Sequence, residues 1–594
     1  MQNKIYKWVL MFAILGVIGS VEKVTAEKFE LKDGSSILGT LASSSNGTCI
    51  INRNIGQPFS LSCSEIEKID STPPPAYLPE SPRLRVAGSN TIGAKLMPAL
   101  LVDFVRSKGA SETPEIPRNI SPDEVLVEPA PAIANIWSGI EVSAHGSATG
   151  FQGLAALAIS RQANDPPKFR LNSSAHSQVS ANETVIDPRI ETANLWKNIE
   201  TGAPGSAPDN QDMNSTTGSR QTEEGGRRAL IELSNKQIPA DIAMSSRHVT
   251  PAEVEALRSL GTLDNPSSEY VIALDGLAII VNRANRVETL TREQIRQIFT
   301  GKISDWSQVG GWAGQISLYA RKDGSGTLDT FKDIVLKGMT LSSKAVRIED
   351  SRELSSAVAK DARAIGFIGM SYVGEAKAIN IHECNLVYPP SIFNTKTEEY
   401  PLARRLFLYA PERRTKNIDE FLNYTNSAAA QSVVAKNGFV DLSIEPDFIG
   451  DQRRLRQAVY PNARQRNHDN DLYEEMIKEG GRLSITLRFR TNSADINKLD
   501  LDSRAIHDLQ RLKDYMHGPM GVGHRVRLVG FTDSDGDYKR NRALSLGRAQ
   551  SIANKLNDVS VDEILGLGPS FPVACNDSEE GKTRNRRVEI WITN

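Results

Sequence analysis

The chain has 594 residues, several times the roughly 100 to 200 of a single domain, so two or three separately cored units are expected. Lys and Arg number 70 against 72 Asp and Glu, a net charge of −2, with 39% apolar and 24% charged residues; this excludes a bulk polyanion binder and a polytopic membrane protein. Four cysteines and eight histidines exclude a disulfide-framework miniprotein and argue against a zinc cluster.

Residues 1–26 carry Lys4 and Lys7, an apolar run from Trp8 to Ile18, and the small residues Val24 and Ala26 at the −3 and −1 positions of a cleavage site. This is the pattern of a signal peptide cleaved after Ala26, and the run falls short of a membrane span, so no transmembrane span is expected in the mature chain. Residues 27–72 read as a small module of short strands. Cys49 and Cys63 in it are read as a disulfide, the alternative being two buried thiols, whereas Cys384 and Cys575 fall in different domains and are read as unpaired. The proline-rich stretch 73–82 is a semi-rigid spacer.

From 83 to 445 short apolar runs alternate with amphipathic stretches, an α/β pattern interrupted at about 160–228 by a polar insertion rich in Asn, Ser, Pro and Gly. Within it the strand ISLYARKD runs into Gly324-Ser325-Gly326-Thr327 and then a helix. Hydroxyls and glycine-permitted amides at a helix start form a donor-only pocket for a tetrahedral oxyanion. Arg321 adds a planar fork of donors that Asp323 could hold in place. Three further strand-to-helix turns have the same character: Ser89, Asn90 and Thr91; Ser147, Thr149 and Gly150; and Ser245, Ser246 and Arg247. Four such turns in one domain point to a ligand held between helix starts.

The words AGSNTIG, ADIAMSSR, LTREQIRQIFTGKISDWSQVGG, RKDGSGT, IGFIGMSYV and YPLARRLFLYA, in that order, resemble the periplasmic phosphate-binding proteins of ABC importers, the PstS type. The resemblance implies a two-lobed α/β periplasmic-binding-protein fold closing over the anion, with Arg321, Ser325, Gly326 and Thr327 as ligand residues and an ABC permease as a possible partner. Trp306 and Phe299, in the same signature, are read as core packing. One departure is Ser246, where many phosphate binders carry an aspartate that accepts the ligand's proton. A hydroxyl beside a guanidinium does not repel sulfate, so phosphate leads and sulfate stays open.

Residues 446–480 are highly charged and read as a partly helical connector. From 481 to 594 strand and helix patterns give an α+β sandwich with a helix layer. Thr532-Asp533, Gly536, Asn541, Leu544-Ser545, Arg548-Ala549 and Asn585-Arg586-Arg587 resemble the OmpA-like peptidoglycan-binding domain. The resemblance implies that Asp533 and Arg548 grip the ammonium and carboxylate of diaminopimelate in the wall's stem peptide, with Asn541 in support. Asn585 and Arg586 are read as bracing the loop, and Arg587 as pairing with surface acids. A calcium loop starting at Asp533 fails on spacing, since Tyr538 stands where glycine is needed and Leu544 where glutamate is needed.

The expectation is therefore a non-enzymatic oxyanion-binding protein of the periplasm of a Gram-negative-type envelope, associated with peptidoglycan, needing no cofactor or metal and no nucleic acid. The rival is a structural or adhesive envelope protein whose central domain keeps the fold without the anion. No Ser/His/Asp order and no Cys with a partner His supports an enzyme.

Overall fold

The structure, a computed structural model, describes residues 27–31, 36–45, 48–53, 59–70, 77–78, 81, 83–109, 118–121, 124–127, 136–137, 139–164, 239–323, 325–448, 463–489 and 501–593. The signal-peptide stretch, most of the proline-rich spacer and the polar insertion beyond residue 164 lie outside the described residues. Two compact units divide the chain, 1–78 and 79–594.

In the first unit five antiparallel strands stand in the order Phe59–Ser62, Thr48–Arg53, Ser36–Ser45, Glu27–Leu31 and Ile66–Asp70. Among the described residues, Phe29, Cys49, Ile51 and Leu61 form a buried cluster. Cys49 and Cys63 are bonded across it, with Cα atoms 5.0 Å apart. A crosslink closing a loop of this length contributes about 3 kcal/mol.

The second unit is built on an eleven-stranded mixed sheet. Its spine is Glu269–Val281, buried at every residue, as expected of a strand covered on both faces. Residues 269–276 pair with Ala403–Tyr409, and 277–281 with Ala364–Gly369, so one strand crosses between two half-sheets. On one side follow Ile242–Ser245, Arg83–Gly88 and Gly139–Ser143, in parallel. On the other follow Ser317–Arg321 and Val346–Ile348. Each half has its own core, one around Phe104, Trp137 and Phe421, the other around Phe299, Phe331 and Phe367. Trp306 and Phe299 lie in the second core, 3% and 0% exposed. Two lobes joined through the strand Glu269–Val281 are the architecture of a periplasmic-binding-protein fold.

The C-terminal sheet orders Pro446–Asp447, Gly480–Arg488, Arg587–Thr593, Arg525–Gly530 and Val561–Gly566, with the helices Ser503–His517 and Tyr538–Lys555 packed against it. The segment read as a connector does more than connect. Its helix Ala463–Glu479 buries Tyr473 and Met476 against Phe571 and Trp591, and its Asp469 accepts from Ser570 Oγ at 2.6 Å and Tyr538 OH at 2.7 Å.

This sandwich is seated on the two-lobed part through a buried polar seam. Glu398 accepts from Arg405 at 2.5 Å, Arg504 at 2.5 Å and Arg488 at 3.1 Å. Arg405 also reaches Asp502 at 2.7 Å, and Arg482 reaches Glu399 at 2.5 Å. Burial alone would raise the Glu398 carboxyl, but the three guanidinium groups hold it well below its ordinary range. Cys384 and Cys575 are bonded across the seam, which corrects their reading as unpaired thiols. A separation of 191 residues hides the pair in the sequence, and only the packing of the two folds brings the Cα atoms to 5.6 Å.

Candidate functional site

Three of the four hydroxyl-rich turns meet in space. Ser89 ends the strand Arg83–Gly88 and caps the short helix Asn90–Gly93. Gly88 must be glycine, because its φ is +134° and a Cβ there would lie 2.1 Å from the Met244 carbonyl oxygen. Ser147 opens the helix Ser147–Asn164, and its Oγ lies 3.3 Å from Ser246 Oγ and accepts from the Ser246 amide at 3.1 Å. Ser89, Asn90, Thr91, Ser147, Ser246 and Arg247 all line one cavity of about 990 Å³. Asp329 and Lys332 of the other lobe line it too, and it runs on past Glu398, Arg405, Arg488 and Asp502 to Thr583 and Arg584 of the C-terminal domain.

The remaining candidates have other duties in this structure. Ser245 is fully buried, and its Oγ donates to the Arg247 carbonyl at 2.6 Å, which shapes the turn. Thr149 donates to the Gly146 carbonyl at 2.8 Å. Gly150 lets its helix approach the sheet, since a Cβ would lie 2.7 Å from the Ala87 carbonyl oxygen. Arg247 forks onto Glu253 at 2.7 and 2.8 Å and stacks over Phe151, so its guanidinium has a carboxylate partner already. Glu253 in turn caps the helix Pro251–Ala256 with Thr250, a local pattern visible in the sequence as T-x-x-E.

In the second lobe Arg321 donates to Ser351 Oγ at 2.5 Å, and burial pushes its guanidinium pKa down. Asp323 does not hold that fork, contrary to expectation. It sits on an exposed turn and pairs with Lys332 at 3.5 Å and Arg347 at 3.8 Å. Ser325 caps the helix Gly326–Phe331, in whose first turn Thr327 lies half-buried. Gly326 is where the lobes touch, because a Cβ there would be 2.5 Å from Thr91 Cα. Arg321, Ser325, Gly326 and Thr327 do not line the cavity of the other turns.

One residue at the site was missed in the sequence. Arg404 is buried where the two lobes meet, donating to Thr91 Oγ1 at 2.7 Å and facing Asp275 at 3.5 Å and Asp333 at 3.2 Å. Burial pushes its guanidinium pKa down despite those acids. Its signal was present in ARRLFLY: side chains alternate along a strand, so Arg404 turns to Thr91 and Asp275 on one face while Arg405 turns to Glu398 and Asp502 on the other.

In the C-terminal domain the strand end, helix face and distant Asn-Arg-Arg form one buried cluster. Asp533 accepts from Arg586 at 2.9 Å, both nearly fully buried. Arg548 stacks over Phe489 at 5.0 Å; burial and the neighbouring Arg586 push its pKa down to about 10, with Asp533 opposing. Asn541 donates to the Asp535 carbonyl at 2.9 Å. Asn585 ties down its loop by accepting from the Val573 and Ala574 amides. Arg587 does not pair with surface acids: it is fully buried, ion-paired with buried Glu589 at 2.7 Å and stacked on Phe531 at 3.9 Å. Its place on the fully buried final strand explains the difference.

Comparison with known proteins follows this division. A family model described as "PBP superfamily domain" matches residues 193–429, and one described as "OmpA family" matches residues 488–586. The chain is 31% identical over 258 residues to protein SphX of Synechococcus elongatus, covering 41% of this chain and 74% of that one. It is 25% identical to the phosphate-binding protein PstS of Borreliella burgdorferi, covering 34% of this chain and 72% of that one. Over 72 residues it is 44% identical to the probable lipoprotein YiaD of Escherichia coli, 11% of this chain and 33% of that one. Among the described residues no helix is long and apolar enough to cross a membrane.

Proposed function

The chain belongs to the PBP superfamily and carries an OmpA family domain, and from that premise we propose that it is a phosphate-binding protein of the periplasm held non-covalently on peptidoglycan. The reading makes it a receptor rather than an enzyme, handing its anion to an ABC permease. The observation that carries it is the convergence of Ser89, Asn90, Thr91, Ser147 and Ser246 on one cavity beside the buried guanidinium of Arg404. Hydroxyl donors beside a desolvated guanidinium suit a small oxyanion. Ser245, Arg247, Thr149 and Gly150 support the turns, while Arg321, Ser325, Gly326 and Thr327 supply the second lobe's donors on closure about the crossing strands.

At the other end Asp533 and Arg548, with Asn541, take the ammonium and carboxylate of diaminopimelate. The stem peptide's ammonium replaces Arg586 as the partner of Asp533. Equilibrium dialysis with phosphate and pull-down on purified wall test the two halves separately. Ser147→Ala with Ser246→Ala should weaken phosphate retention and leave wall binding intact, and Asp533→Ala should do the reverse; joint loss in both variants would refute separable modules.

The structural or adhesive reading is favoured by one observation, that Arg247 and Arg321 are already engaged by Glu253 and Ser351. Dialysis that detects neither phosphate nor sulfate would select it.

A further inference from the structure

A cleft lined only by donors cannot tell phosphate from sulfate, because both present oxygens of similar geometry. The difference is a proton. Near neutral pH phosphate retains at least one P–OH, and sulfate has none, so an acceptor in the site rewards the first and repels the second.

The cavity contains such acceptors. Asp329, in the first turn of the helix Gly326–Phe331, lines it together with Ser89, Asn90, Thr91, Ser147 and Ser246. Its Oδ2 accepts from Asn90 Nδ2 at 3.4 Å, a long contact that leaves most of the carboxylate's lone pairs available. Because a carboxylate only accepts, that contact fixes the Asn90 amide with Nδ2 toward Asp329. Asn90 Oδ1 is then a second acceptor, buried and without a hydrogen-bond partner in the structure. Burial, with Asp333 nearby, holds the Asp329 carboxyl above its ordinary range, against the Asn90 contact, Lys332 and Arg404, which act to lower it.

We propose that Asp329, with Asn90 Oδ1 beside it, selects proton-bearing oxyanions in this cleft, so that the chain discriminates phosphate from sulfate although position 246 is a serine. The acceptor comes from the second lobe, across the cleft from Ser246. The inference rests on the anion-binding reading of the cleft.

The test is calorimetric titration of the full chain with inorganic phosphate and with inorganic sulfate. At about pH 7 the unmodified chain should prefer phosphate by at least about 100-fold, since a site built around a ligand's hydroxyl rejects an analogue lacking it. Asp329→Asn should bring that ratio below about tenfold, chiefly by admitting sulfate, and adding Ser246→Asp should restore it. Thermal melting verifies that each variant is folded. Should Asp329→Asn not fold, Asp329→Ser takes its place, with the same fall in the ratio expected. An unchanged ratio in either folded variant overturns the assignment and leaves phosphate binding standing. A chain that binds neither anion removes the cleft reading and this assignment together.

Discussion

The cleft and the seam are both rich in buried polar groups, yet they are built in opposite ways. In the cleft the hydroxyls line a cavity, and the buried Asn90 Oδ1 and, in the second lobe, Arg321 Nε have no hydrogen-bond partner. In the seam Glu398 alone accepts from three arginines, and Asp502 and Glu399 take Arg405 and Arg482. Open capacity suits a site that waits for a ligand. Multiply shared carboxylates suit a joint that has to hold, even though the buried Arg504 Nε there, like Asn90 Oδ1 in the cleft, makes no hydrogen bond. The lesson is that the C-terminal domain is fastened to the lobes rather than trailing from a linker.

The most damaging change to this contrast is Glu398→Ala, which leaves Arg405, Arg488 and Arg504 buried against one another. Denaturant unfolding should register a loss of about 3–5 kcal/mol, whereas no loss would mean that the seam is not built as described. Replacing Cys384 and Cys575 by serine should cost about 2–4 kcal/mol, seen as a reductant-insensitive fall in the unfolding midpoint.

Acidification should loosen the same joint. His507 is buried against Tyr270, facing Arg511, Asp508, Glu269 and the Pro266 backbone, and burial with Arg511 pushes its pKa down to about 4. The unfolded chain takes that proton near pH 6.5 and the folded chain only near pH 4, so this contribution is complete above pH 6.5 and erodes as pH falls. At pH 5 the expected loss is about 2 kcal/mol, and His507→Phe should flatten that part of the pH–stability curve.

The smallest effect belongs to the cleft. Gly326→Ala places a methyl 2.5 Å from Thr91 Cα and should prise the lobes apart locally, weakening anion binding about tenfold with little change in stability. A large fall in melting temperature instead would make Gly326 a packing residue.

What could be read from the sequence follows the range of the interactions. Ser89-Asn90-Thr91 and the Ser325-Gly326-Thr327 turn are local, strand running straight into helix, so the residues announce the geometry. Asp533, Asn541 and Arg548 stand out because a spaced signature survives across one domain, whereas Arg586, read as a loop brace, turns out to be the partner of Asp533. Arg247 misled, because a basic residue after two serines reads as an anion ligand until Glu253 is seen to take its fork. The Cys384–Cys575 bond and the Glu398 hub are composed of residues from two domains, and no local pattern encodes which surfaces of two folds will meet. Arg404 lay between these extremes, readable from strand alternation once the crossing strand is recognised.

The central claim is that the converging turns hold an oxyanion. Titrating inorganic phosphate into the full chain in a calorimeter should give saturable binding at one site per chain with a dissociation constant of micromolar or below, weakened when Ser147 and Ser246 are both replaced by alanine. Absence of heat at millimolar phosphate, or binding indifferent to those two serines, would contradict it.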